Sequence, residues 1–223
     1  MQKRALIIGG TSGLGFEIAK KLNHEYEVHI TGRRSRGDIL YPHQQHYLPL
    51  DADNLLDTLN SLFSKIKHID LLVYAAGFFQ SGLIGELNRS SIEHMIHVGL
   101  SAPAIALNKL LARQRTLPGF IAITSTSEWT PRPNEPVYTA VKAGLGMLAR
   151  SVSHDSHIQR TLVVAPAGMK TNFWRNTEQD TSTMLNPEWV AEQIMTLWET
   201  SYSYQYAKIL REPARVEITE ERL

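Results

Sequence analysis

The sequence has no cysteine among its 223 residues, which excludes disulfides, thiolate metal sites and cysteine nucleophiles. It has almost no net charge. Against 22 Asp and Glu stand 23 Lys and Arg, leaving +1, so there is no overall bias toward nucleic acid or an acidic membrane surface. Long hydrophobic runs are scarce as well. No stretch reads as the roughly 20 apolar residues that span a bilayer. The opening MQKRALIIGG meets glycine before it can supply the apolar region of a signal peptide. These absences lead to the expectation of a cytoplasmic enzyme or binding protein with a small-molecule ligand and neither nucleic acid nor membrane as partner.

What is present is ordinary in amount and ordered in pattern. Hydrophobic residues make up 43% and charged residues 20%, as in soluble globular chains, and the length suits one domain over 1–223. Short apolar runs recur: RALIIGG, YEVHITGRR, HYLPLD, IDLLVYAAG, GFIAITSTS and TLVVAPAG. Such runs suit strands buried on both faces of a parallel sheet. Helical patterns lie between them at 14–23, 53–67, 90–114 and 136–153. The alternation predicts an α/β, Rossmann-like doubly wound sheet with helices on both faces, in three layers. A further helix, PEWVAEQIMTLWE, carries Trp189 and Trp198 on its apolar face, and the tail after it reads as one short strand with a charged end.

In an open parallel sheet ligands bind beyond the carboxyl ends of the strands. The first such end reads IIGGTSGLGFEIAKKL, with Gly9, Gly13 and Gly15 between a strand and an amphipathic helix. Missing Cβ atoms let backbone come close to a pyrophosphate, and the helix N-terminus offers free N–H groups to it. After the second strand the chain lacks the acidic residue that would bind the ribose 2′-hydroxyl of NAD, and has Arg33 and Arg34 instead. Guanidinium groups there suit a 2′-phosphate, which favours NADP(H). The plainer reading is a pair of solvated arginines.

Tyr138 and Lys142 stand four residues apart among Ala, Gly, Val and Thr. At that spacing they share a helix face. A nearby ammonium stabilises a phenolate and brings tyrosine closer to working pH as a proton donor or acceptor. Ser125, at the end of the FIAIT strand, is placed to hydrogen-bond a substrate oxygen as charge develops.

With these residues in view the chain resembles the short-chain dehydrogenase/reductase family, of the type with a Tyr-x-x-x-Lys pair, from Gly9 to at least Thr171. The glycines match the family's TGxxxGxG turn with Ile8 in place of its Thr, and Ser125 lies thirteen residues before Tyr138, at the family's spacing. YAAG at 74–77 resembles the family's fourth-strand motif, and PAGMKT at 166–171 its P-G-x-V-x-T. The resemblance implies that Ser125, Tyr138 and Lys142 are catalytic. It implies cofactor contacts from Gly9, Thr11, Ser12, Gly13, Leu14 and Gly15, from Arg33 and Arg34, and from Asp51 and Ala52 beside the adenine. It extends them to Ala75, Ala76 and Gly77, to Pro166, Met169 and Thr171 near the nicotinamide, and to Tyr138 and Lys142, the latter on the nicotinamide ribose. It also implies a homodimer or homotetramer. Three positions depart from the family's pattern: Tyr74 for Asn, Ala167 for Gly, and Gly99 where an Asn often joins the proton relay. His97, two positions away, is an alternative relay residue. A catalytically weak NADP(H)-binding redox sensor on the same fold is the alternative function.

Other candidates carry less. The pairs His43 and His46, His94 and His97, and His154 and His157 have ligand-like spacing but no third ligand and no HExxH glutamate, so no metal is expected. Phe78, Phe79, Trp129, Phe173 and Trp174 follow sheet-end motifs and either line an apolar substrate pocket or pack in the core. The polar stretch 171–187 is either a substrate loop or an unremarkable surface loop.

Overall fold

The computed structural model describes residues 2–33, 44–50, 53–175 and 177–223. One sheet of eight strands runs through them, in the order β3-β2-β1-β4-β5-β6-β7-β8. Its strands are β1 (Lys3–Ile8), β2 (Tyr26–Gly32), β3 (Gln44–Tyr47), β4 (Leu71–Tyr74), β5 (Gly119–Ile123), β6 (Thr161–Pro166), β7 (Tyr204–Arg211) and β8 (Ala214–Arg222). The first seven are parallel, and β8 returns antiparallel on β7.

Two-sided burial explains the unbroken apolar runs. Every residue of β4, β5 and β6 is buried, and successive side chains serve opposite faces. Ile7, Val73, Ile121 and Val164 pack beneath α1 (Gly13–Leu22) and α6 (Pro187–Glu199). Leu6, Leu72, Phe120 and Val163 face α2 (Leu55–Lys65), α4 (Ala102–Gln114) and α5 (Pro136–Val152).

The structure differs from the sequence expectations in three places. The third strand lies at Gln44–Tyr47, ahead of the apolar Leu48 and Leu50, which are buried just beyond its end. The tail forms two strands rather than one, because the Pro213 that interrupts its apolar pattern marks the turn of a hairpin. The helical run Arg89–Gln114, 26 residues, is long and apolar enough to cross a membrane by length and composition, and 44% of its apolar window is buried inside the protein.

That run is not one regular helix. α3 (Arg89–Ile96) passes through a π-helical turn, His97–Ser101, before α4 begins. Here two of the sequence departures meet. Tyr74, wholly buried at the end of β4, donates its hydroxyl to the Val98 carbonyl inside the π-turn. A Cβ at Gly99 would stand 2.1 Å from Val141 Cγ1 of α5, so the close approach of α5 to the π-turn requires glycine. A side chain as large as asparagine has no room there. Tyr74→Phe is expected to lower the unfolding free energy by about 1–2 kcal/mol, the cost of a buried acceptor losing its donor, measured by urea denaturation.

Candidate active site

β1 pairs with β2 on one side and with β4 on the other. The crevice where the strand order reverses opens at their carboxyl ends. Ala75 N–H donates to the Ile8 carbonyl (2.9 Å), which brings the turn after β4 against the turn after β1. Gly9 has φ +89°, and a Cβ on it would lie 2.6 Å from the Ala76 nitrogen. No other residue fits both the conformation and the contact. Ser12 stands at the N-cap of α1 with its side chain making no cap bond, and the first turn of α1 has no acidic residue. Helix amides and the positive dipole end are thus left for an anion.

Gly9, Thr11, Ser12, Gly13, Leu14 and Gly15 line a cleft of about 1500 Å³, together with Arg33, Ala75, Ala76, Gly77, Pro166, Met169 and Thr171. Ser125, Tyr138 and Lys142 line the same cleft. Arg33 is exposed at its wall, beyond the point where Thr11 fills the space over Gly32. Arg34, Asp51 and Ala52 lie outside the described residues. The glycine cradle, the uncapped helix end and the basic wall fit a dinucleotide phosphate.

The reactive residues come from two adjoining elements. Ser125 follows β5 and starts a 3-10 turn, Thr126–Glu128, where its Oγ accepts from Ser127 N–H (3.2 Å) and keeps its own proton to give. Ser127 Oγ donates to Glu135 Oε2 (3.0 Å), which ties this turn to the start of α5. Pro136 opens α5, where its missing N–H costs nothing. Tyr138 and Lys142 then share the inward face, with Lys142 Nζ 5.7 Å from the Tyr138 ring centre. Lys142 is 5% exposed and its Nζ donates to the Ile123 carbonyl at 3.0 Å.

Burial dominates the electrostatics. It pushes the Tyr138 phenol up; the Glu135 charge adds to this, while a Ser125 hydrogen bond and the Arg132 charge pull back. Burial brings the Lys142 ammonium down to about 8, opposed by the Glu128 carboxylate. A lysine in this state is poised between its charged and neutral forms near working pH.

Phe79, Phe173 and Trp174 gather over Tyr138. The Phe79 ring meets Tyr138 edge-on at 5.1 Å, stacks on Phe173 at 5.7 Å and meets Trp174 at 5.5 Å. Phe173 and Trp174 belong to the stretch 171–187, so the start of that stretch lies against Phe79 and Tyr138. Trp129 and Phe78 line the same cleft; the Trp129 ring also contacts Lys208 and Tyr206, and Phe78 packs on His94. His94 and Val98 line the cleft, whereas His97 is not among its lining residues. Sequence reasoning missed Glu128, Arg132 and Glu135, which surround the reactive residues, and Leu210, Arg211 and Arg215 of the terminal hairpin, which reach the cleft mouth. The first three sit beside Ser125 and Tyr138 in sequence, which was the available signal. The hairpin residues carried none.

A family profile described as short chain dehydrogenase matches residues 3–182. An uncharacterized oxidoreductase of Staphylococcus epidermidis is 25% identical over 208 residues, covering 87% of this chain and 90% of that protein. A 3-oxoacyl-(acyl-carrier-protein) reductase of Rickettsia typhi is 28% identical over 185 residues, covering 77% of this chain and 74% of that protein. Among solved structures, an alcohol dehydrogenase of the archaeon Thermococcus sibiricus complexed with 5-hydroxy-NADP has a TM-score of 0.77 at 20% identity, covering 89% of this chain and 91% of that one. A likeness of that degree carries the fold alone.

Lys142→Met tests the burial of the ammonium. A lysine held at about 8 instead of 10.5 in the native state costs on the order of 3 kcal/mol while it stays protonated. The native state binds fewer protons than the unfolded chain between those values, so the cost is full below pH 8 and is relieved above it. Lys142→Met is therefore expected to raise the thermal midpoint at pH 7, by about 2–4 °C per kcal/mol relieved. The difference from the native sequence should shrink as pH rises from 8 toward 10.5, read by calorimetry across that range.

Proposed function

The chain belongs to the short-chain dehydrogenase/reductase family, and from that membership we propose that it is an NADP(H)-dependent oxidoreductase interconverting a carbonyl and an alcohol. The observation that carries the reading is the meeting of Ser125, Tyr138 and Lys142 in one cleft with the glycine turn after β1. When bound, the nicotinamide supplies or accepts the hydride at the substrate carbon. Residues 9–15 would hold its pyrophosphate, Arg33 and Arg34 the 2′-phosphate, and Asp51 and Ala52 the adenine. Ala75, Ala76, Gly77, Pro166, Met169 and Thr171 would flank the nicotinamide half, and Lys142 the ribose.

Ser125 donates to the substrate oxygen and fixes it against Tyr138. Tyr138 passes its hydroxyl proton to that oxygen in reduction and takes it back in oxidation. The Lys142 charge, 5.7 Å from the ring centre, favours the negative charge that develops on the phenol oxygen as its proton leaves. Phe79, Phe173 and Trp174 favour a carbonyl carrying an apolar group, and the loop 171–187 acts as the substrate loop. The protein works as a single-domain cytoplasmic homodimer or homotetramer in this reading.

Tyr138→Phe is expected to lower kcat by about 100- to 10,000-fold while NADPH still quenches tryptophan fluorescence with unchanged affinity. Tight NADPH binding with no turnover of a carbonyl and alcohol panel, unchanged by Tyr138→Phe, points instead to the redox sensor, and turnover that Tyr138→Phe leaves intact overturns the role given to Tyr138. Arg33→Ala should reduce the preference for NADPH over NADH by about 10- to 100-fold, the value of a charge-assisted hydrogen bond. An unchanged ratio of kcat/KM values overturns the NADP(H) assignment.

A further inference from the structure

We propose that Glu128 is a positioning residue for the Ser125–Tyr138–Lys142 group: its carboxylate, seated in a notch on the inner face of α5, keeps the buried Lys142 ammonium charged. The proposal rests on the catalytic reading above. The notch is made by Gly146. A Cβ there would fall 2.0 Å from Glu128 Oε1 and 2.5 Å from its Cδ, so a carboxylate occupies the place of a side chain on the helix. Gly146 stands four residues after Lys142, on the same face and one turn along. The carboxylate is thereby held against the helix surface that carries the ammonium.

The groups around this pair come from every neighbouring element. Lys142 meets the Ile123 carbonyl of β5 (3.0 Å), the Tyr138 ring of its own helix and the charge of Glu128. Ser125, Glu135 and Arg132 act on Tyr138 beside it. Glu128 is hydrogen-bonded by Thr124 after β5 and by Tyr206 of β7, and the charges of Lys142 and of Lys208 of β7 act on it. Lys208 Nζ also lies 4.2 Å from the centre of the Trp129 ring. Glu128 Oε2 is buried with no hydrogen-bond partner. A carboxylate so placed is costly unless a nearby cation offsets it. Lys142 is the cation in the catalytic group, and Glu128 is the carboxylate that acts on it. The Glu128 charge offsets part of the burial of Lys142, and the charge needed beside Tyr138 is maintained.

Glu128→Gln keeps the shape and removes the charge. The full-length protein carrying 13Cε-lysine would be titrated by NMR, with the Lys142 signal identified by its loss in Lys142→Met. The Lys142 midpoint is expected to fall by about one pH unit in Glu128→Gln, to fall likewise in Glu128→Met, and to recover toward the native value in Glu128→Asp. With NADPH and 4-nitrobenzaldehyde as probe, the alkaline limb of the kcat/KM profile should move down with it, while KM for NADPH stays the same. A Lys142 midpoint unmoved in both Glu128→Gln and Glu128→Met overturns the inference and leaves the catalytic reading standing. Turnover undiminished in Tyr138→Phe overturns the catalytic reading, whatever the lysine titration shows.

Discussion

One buried ammonium sets the terms for this site. Lys142 is taken almost wholly out of water, and among the described residues its hydrogen-bonded partner is one neutral oxygen, the Ile123 carbonyl. Such a charge is destabilising where it stands, and the local structure is arranged around making it tolerable. β5 ends where its last carbonyl can accept from Nζ. The 3-10 turn that follows is capped by Ser125 and carries the glutamate whose charge opposes the burial. α5 begins at a proline directly after the Ser127–Glu135 bond has fixed its angle.

The same demand for closeness reaches the helices behind α5. Val141 occupies the space where a Gly99 side chain would be, so α5 lies almost on the backbone of the π-turn. A π-turn leaves carbonyls out of the regular ladder, and the Tyr74 hydroxyl answers one of them from the neighbouring strand. Tyr74 and Gly99, two unrelated departures in the sequence, are thus two ends of one packing arrangement. The distortion of this helix persists without an asparagine at its centre.

The sheet and most of the helices were legible because strands buried on both faces and helices buried on one leave different periodicities, and these were read from β1 to α6. The glycine turn and the Ser125, Tyr138 and Lys142 spacing were legible for a related reason: close backbone approach and shared helix faces act over a few residues. What escaped was long-range. Pro213 marks a break in the apolar pattern without saying which strand the chain returns to, and the pairing of β8 with β7 is decided by the unpaired edge it covers. Glu128 carried no sequence signal because its notch is eighteen residues away at Gly146. The aromatic residues divided in a way that composition could not anticipate: Phe79, Phe173 and Trp174 meet at Tyr138, while Trp129 pairs with Lys208.

The terminal hairpin has a consequence of its own. Its turn and the adjoining end of β7 supply Leu210, Arg211, Glu212 and Arg215 to the rim of the cleft, while Tyr206 and Lys208 of β7 reach Trp129 beside the 3-10 turn. Lengthening or shortening a surface turn carries a small entropic cost, and this turn sits at the outer edge of the sheet. The rim can therefore be rewritten by small insertions and deletions in one surface turn. Selectivity can drift there over evolutionary time while the inherited reaction centre is left alone.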